Sequence, residues 1–225
     1  MTTELECIEI GTSTQPEFSV IWLHGLGADG NDFAPIVPEL GVDHIPIRFI
    51  FPHAPVMPIT INGGMPMRAW YDLYMMDLVR YEDEKGLRES QQLVNALIAR
   101  ENARGIPTEN IVLAGFSQGC AMTLQTALRL EEKLAGMVCL SGYLPLASQV
   151  EAERHNANQN TPILMAHGSQ DPVVPIIRAE ESRDLLTELG YDIEWHTYPM
   201  PHAVCAEEVQ AIGAFLQRVL VKSDA

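Results

Sequence analysis

The apolar positions of this chain fall into short dense blocks that alternate with one-sided amphipathic stretches along most of its length. Blocks at residues 18–23, 45–51, 111–116, 134–140 and 162–167, each followed by a glycine-, proline- or serine-bearing turn, are read as strands. Residues 5–10 alternate only partly and give an edge strand, and residues 192–198 give the last one. Helical spacing is clearest at Leu87, Gln91, Val94, Leu97, Ile98 and Glu101, a run ended by Gly105 and Pro107. Val209, Ile212, Phe215, Leu216 and Val219 form a second such face within residues 204–220. Further helices are expected at 117–130, apolar or small on most sides, and at 176–189, ended by Gly190. A short helix capped by Asn31 or Asp32 should stop near Leu40-Gly41. Strands and helices alternating in this rhythm predict one α/β domain over residues 1–225, with a mainly parallel twisted sheet of about seven strands and helices on both faces.

Two segments depart from the rhythm. Residues 52–72 show no clear period, and Pro52, Pro55, Pro58, Gly63, Gly64 and Pro66 argue against regular structure over most of them. Long irregular segments in compact domains tend to be lids or binding loops. This one carries Met57, Met65, Met67, Trp70 and Tyr71, with Met75 and Met76 close behind, a set that suits an adaptable apolar pocket as well as plain packing. Residues 148–160 are polar and read as a surface excursion, and Glu82-Asp83-Glu84 as a solvated loop or helix start.

Composition narrows the classes. Of 225 residues, 47% are hydrophobic and 20% charged, which is globular rather than disordered, and no apolar run is long enough to cross a bilayer. A net charge of -16 repels phosphate backbones and anionic lipid surfaces, so nucleic acid is not an expected partner. Residues 1–6 lack the basic start and apolar core of a signal peptide, which makes the cytoplasm the expected location. The four cysteines, Cys7, Cys120, Cys139 and Cys205, are scattered without a C-x-x-C pair and suggest neither a zinc site nor a disulfide framework.

The chemistry gathers at strand ends. Gly115-Phe116-Ser117-Gln118-Gly119 lies between a predicted strand and a predicted helix, the context of the G-x-S-x-G nucleophile elbow. By itself the pattern also suits a glycine-rich βα turn whose serine only caps the helix. Open parallel sheets collect catalytic groups at the carboxyl ends of their strands, where Asp171 and His202 also fall. The chain order Ser, Asp, His is that of the α/β-hydrolase triad. Ser117 is the candidate nucleophile, His202 the base that takes and returns its proton, and Asp171 the carboxylate that fixes the imidazole tautomer. The oxyanion needs two preorganised amides, which map to Gln118, after the nucleophile, and Leu26, in the glycine-rich loop after the early strand. His24, in that loop, is assigned to loop stability, and Asp29, Asp32 and Asp72 to turns or caps. His155 is expected on the surface and His167 and His196 along strands, without special roles.

The segments Val20-Ile21-Trp22-Leu23-His24-Gly25-Leu26-Gly27, Gly115-Phe116-Ser117-Gln118-Gly119, His167-Gly168-Ser169-Gln170-Asp171-Pro172-Val173-Val174-Pro175 and Pro201-His202 together resemble the phospholipase/carboxylesterase family, which includes acyl-protein thioesterases. Met67-Arg68-Ala69-Trp70-Tyr71-Asp72 and Ser141-Gly142-Tyr143-Leu144-Pro145 resemble further family blocks, so the likeness spans almost the whole chain. It implies an α/β-hydrolase fold and a serine carboxylesterase without a cofactor, acting on short- to medium-chain acyl esters or thioesters through an acyl-enzyme on Ser117. Acyl-protein thioesterase or lysophospholipase is the alternative physiological activity, with a lipid or an S-acylated protein as substrate; a non-catalytic binding protein is a distant rival. The family's loop corresponding to residues 52–72 lies over the acyl site, which makes Trp70, Met65 and Leu144 the candidate pocket. Relatives include dimers, so a monomer or weak homodimer is expected. Cys120 and Pro201 stand where relatives usually carry glycine, and Cys120 and Cys205 place thiols near the site.

Overall fold

The computed structural model describes residues 4–74 and 82–221. The strands are β1 (Cys7–Gly11), β2 (Phe18–Leu23), β3 (Ile47–Pro52), β4 (Val56–Ile59), β5 (Met65–Arg68), β6 (Ile111–Phe116), β7 (Gly136–Leu140), β8 (Ile163–Gly168) and β9 (Ile193–Tyr198). The α-helices are α1 (Glu84–Ala103), α2 (Gln118–Ala127), α3 (Ala147–Glu153), α4 (Ile176–Glu188) and α5 (Ala206–Leu220). Seven strands form one sheet in the order β1-β3-β2-β6-β7-β8-β9. Only β1 runs antiparallel to its neighbour in that sheet, so the expected mainly parallel architecture is the one observed.

The strand residues sort by the two-residue period of a pleated strand. In β2, Ile21 and Leu23 join Leu113, Met137 and Met165 on one face, against Val94, Leu97 and Ile98 of α1 and Ala121 and Leu124 of α2. Val20 and Trp22 join Val112, Val138 and Leu164 on the other, against Ile212, Phe215, Leu216 and Leu220 of α5. Because helices cover both faces, the central strands read as unbroken apolar runs rather than alternating ones.

Several boundaries differ from the sequence expectation. Neither Asn31 nor Asp32 caps a helix: the turn is a 3₁₀ segment over Ala34–Leu40 that follows Phe33 and ends at Gly41 with φ 65°, while Asp29 accepts from the Asn31 amide at 2.8 Å. Helix α1 starts at Glu84 because Asp83 caps it, accepting from the Gly86 amide at 3.0 Å. Residues 52–72 are not irregular throughout, since β4 and β5 pair as an antiparallel ribbon in which Pro58 faces Pro66. A two-stranded ribbon has two free edges, and prolines can sit where their missing N–H would point outward. Residues 148–160 are not simply a surface excursion: they contain most of α3, and Asn158 is fully buried. Its side chain accepts from the Leu134 amide at 2.9 Å and donates to the carbonyls of Leu130 and Glu132 at 3.2 and 2.9 Å, bonds that tie this segment to the entry of β7. Met75 and Met76 lie outside the described residues.

Candidate active site

Strand β6 ends at Phe116 and α2 begins at Gln118, leaving Ser117 alone in the turn with φ 56° and ψ −116°. A non-glycine residue at positive φ is strained, and such strain persists where the surroundings over-determine it. Here strand and helix crowd so closely that a Cβ at Gly115 would stand 2.2 Å from the Gly119 carbonyl oxygen, and one at Gly119 would stand 2.1 Å from that of Leu23. The two glycines of the motif are therefore steric requirements, and the serine side chain leaves the turn toward the loops beyond the strand ends.

Those loops deliver the other two groups. Asp171 follows β8, and its Oδ1 accepts from the amides of Val173 and Val174 at 2.8 and 2.9 Å, which fixes the carboxylate plane. Its Oδ2 lies 2.6 Å from Nδ1 of His202, in the loop after β9. Nε2 of His202 lies 2.9 Å from Ser117 Oγ, and the imidazole packs on the Phe116 ring at 4.7 Å between centroids. With Asp171 accepting at Nδ1, the proton sits on that nitrogen and Nε2 presents a lone pair to the serine hydroxyl. The Asp171 side chain is fully buried, whereas the His202 side chain keeps 16% of its surface, so the reacting end of the array faces outward.

The loop after β2 lies beside the serine, where a Cβ at Gly25 would be 3.3 Å from Ser117 Cβ. Leu26 is in this loop, and Gln118 is the first residue of α2, whose amide has no partner within the helix. His24 holds the loop's shape. The Ala54 amide donates to its Nε2 at 3.0 Å, so the ring proton is on Nδ1, which donates to the Gly25 carbonyl at 2.7 Å. Burial holds its pKa below the usual histidine value, and both ring nitrogens are engaged, which removes it as a base for Ser117.

Trp70, Met65 and Leu144, the candidate pocket residues, differ in their surroundings. Trp70 and Leu144 are buried in the core, 0% and 3% exposed, while Met65 on β5 is 61% exposed. Trp70 is held there by a set of bonds that binds the segment after β5 to the site loops. Trp70 Nε1 donates to the His24 carbonyl at 2.9 Å, and the Gly27 amide donates to the Arg68 carbonyl at 2.8 Å. The Gln118 side chain accepts from the Trp70 amide at 2.8 Å and donates to the Tyr71 carbonyl at 2.7 Å. Trp70 is thus a strut between the loop after β2 and the first turn of α2. This use of the Gln118 side chain was not legible in the motif, where the residue counts only for its backbone amide. Replacing Gln118 with Ala strands two buried backbone groups, and a loss of about 2–4 kcal/mol in urea denaturation is expected; an unchanged midpoint and slope would show that the clamp carries no stability.

The two cysteines near the site are accommodated. Cys120 is buried over Gly142, and Cys205 stands at the N-cap of α5 with its thiol pushed up in pKa by burial. A separate cleft of about 740 Å³ beside Leu134, Pro162 and Asp192 opens at the opposite, amino-terminal edge of the sheet and takes no part in this array.

Comparison with known proteins agrees with the fold. The family model for phospholipase/carboxylesterase matches residues 5–220. Acyl-protein thioesterase 1 of Neurospora crassa is 44% identical over 216 residues, covering 91% of this chain and 87% of that protein. The protein of the same name from Gibberella zeae is 40% identical, covering 92% and 93%. Among solved structures, SOBER1 of Arabidopsis thaliana superposes with a TM-score of 0.84 at 31% identity, over 91% of this chain and 99% of that one. Acyl-protein thioesterase 2 of Zea mays gives 0.85 at 26% identity, over 96% and 99%. With its mainly parallel sheet, its serine turn and this match over nearly its whole length, the chain belongs to the phospholipase/carboxylesterase family of α/β hydrolases.

Proposed function

We propose that Ser117, His202 and Asp171 carry out the ester and thioester hydrolysis of this serine hydrolase, with the amides of Leu26 and Gln118 as its oxyanion hole. The observation that carries the reading is the unbroken line from Asp171 Oδ2 to His202 Nδ1 and from His202 Nε2 to Ser117 Oγ, ending on a serine held at positive φ. Ser117 Oγ attacks the acyl carbon while His202 Nε2 takes its proton. The carbonyl oxygen becomes an oxyanion facing the two amides. Collapse expels the alcohol or thiol, which leaves with the proton from Nε2, and the acyl group remains on Ser117. Water then repeats the attack with His202 as base, and Ser117 is released. Asp171 stays ionised throughout and stabilises the imidazolium in both steps.

Two features favour an acyl thioester on a protein cysteine as the substrate. The relatives at 44% and 40% identity are named acyl-protein thioesterase 1, and the partly exposed His202 leaves the leaving-group side open to a bulky partner. Among the described residues no helix is long and apolar enough to cross a membrane. The test is a series of p-nitrophenyl esters of increasing chain length set against a long-chain S-acylated peptide. Cleavage of the peptide with kcat/KM at least equal to that of the best ester is the expected result. Turnover confined to the shortest esters, with no release of the peptide thiol, would overturn the substrate assignment.

A further inference from the structure

His167, expected to be an unremarkable strand residue, stands against the triad acid. It pairs with Thr197 across β8 and β9, and its side chain is fully buried. Nε2 lies 2.8 Å from the Val174 carbonyl oxygen and 3.4 Å from Asp171 Oδ2, the same oxygen that His202 engages. A carbonyl oxygen can only accept, so the proton sits on Nε2, which makes Nδ1 an acceptor, and Nδ1 has no partner among the described residues. Leaving a buried polar atom unpaired is costly, so an apolar residue would be the stabler choice unless the other nitrogen has work to do.

We propose that His167 is a positioning residue of the triad, a neutral imidazole whose Nε2–H donates to the Val174 carbonyl beside Asp171 Oδ2 and so sets the basicity of His202 through Asp171. This rests on the assignment of Ser117, His202 and Asp171 made above. The groups that bear on the His167 ring are Asp171 in the turn after β8, His202 in the loop after β9 and Glu180 on α4. Burial is the largest influence and keeps the ring neutral, helped by His202; the Val174 carbonyl, Asp171 and Glu180 oppose it without prevailing. The positive end of the Nε2–H dipole, 3.4 Å from Oδ2, offsets part of the carboxylate charge that would otherwise stabilise protonated His202. Removing the donor therefore strengthens the hold of Asp171 on the imidazolium, and His202 must titrate at higher pH.

The measurement is the pH dependence of kcat/KM for a p-nitrophenyl ester in wild type, His167→Phe and His167→Gln. The acid limb should move up by about half a pH unit in the phenylalanine variant. Glutamine retains an N–H toward Val174 and should return the limb close to wild type. A residue that only props the turn would lower thermal stability in the phenylalanine variant and leave the midpoint where it was, which would overturn the inference. If that variant does not fold, ¹⁵N NMR of wild-type imidazoles decides: His167 must be the Nε2–H tautomer and stay neutral while His202 titrates, and an Nδ1–H tautomer or a shared titration would refute the role. Failure of the triad itself looks different, since the wild type would then show no acid limb and Ser117→Ala would keep its activity.

Discussion

Replacing Ser117 with Ala should lower kcat for ester hydrolysis by about 10⁶ while leaving the protein folded. The substitution removes only Oγ, whose one hydrogen-bond partner among the described residues is His202 Nε2 at 2.9 Å. Alanine also keeps the strained backbone of the turn, whose shape is set by the crowding of Gly115 and Gly119 and by the bond from the Ser117 amide to the Leu140 carbonyl at 2.9 Å. Stability should therefore stay within about 1 kcal/mol of wild type, or rise slightly, as happens when a strained functional residue loses its polar group. Binding and the oxyanion amides survive the change, so a residual rate of about 10³–10⁴ over water is expected rather than none. A variant that retains more than a hundredth of wild-type turnover would remove the serine from the mechanism. Combined urea denaturation and steady-state kinetics on the same preparation separate loss of chemistry from loss of fold.

Asp171→Asn should lower kcat by about 10⁴, and the structure says why. Oδ1 of Asp171 is committed to the amides of Val173 and Val174, which can be satisfied only by an acceptor. The asparagine oxygen must take that place, which turns its NH₂ toward His202 Nδ1. Nδ1 then has to accept, the ring proton moves to Nε2, and the lone pair that faced Ser117 is gone. The loss is one of tautomer as well as charge, so a higher pH should not restore the rate. Asp171→Ala, by contrast, leaves two amides unpaired and imposes no tautomer, so it should lose more stability than the asparagine variant. Equal turnover of Asp171→Asn and wild type would show that the carboxylate does not orient the base.

Periodicity made the sheet legible because its physics is local. A strand covered by helices on both faces must be apolar at every position, as residues 111–116 are, and a one-sided helix must repeat its apolar residues as Val94, Leu97 and Ile98 do. The order of the proposed triad was legible for a related reason, since Ser117, Asp171 and His202 each follow a strand and a parallel sheet brings those ends to one edge. What pattern could not supply was long-range pairing. The role of Trp70 depends on a bond to the His24 carbonyl, 46 residues away in sequence, and that of Gln118 on the backbone of residues 70 and 71. Prolines in residues 52–72 pointed away from strands because they forbid a ladder bond on one side only, and β4 and β5 use the other. Asn158 looked like a surface residue by type, yet three backbone partners make it a buried one. His167 was hidden for the same reason: its meaning lies in a contact with Asp171 that no spacing reveals.

The proposed mechanism passes through a covalent acyl intermediate on Ser117, and the most direct test is where a fluorophosphonate attaches. Treated with such a probe and mapped by peptide mass spectrometry, the wild-type protein should carry one adduct, on the peptide containing Ser117, and His202→Ala should lose it. An adduct on another residue, or none on a folded and active wild type, would contradict the mechanism.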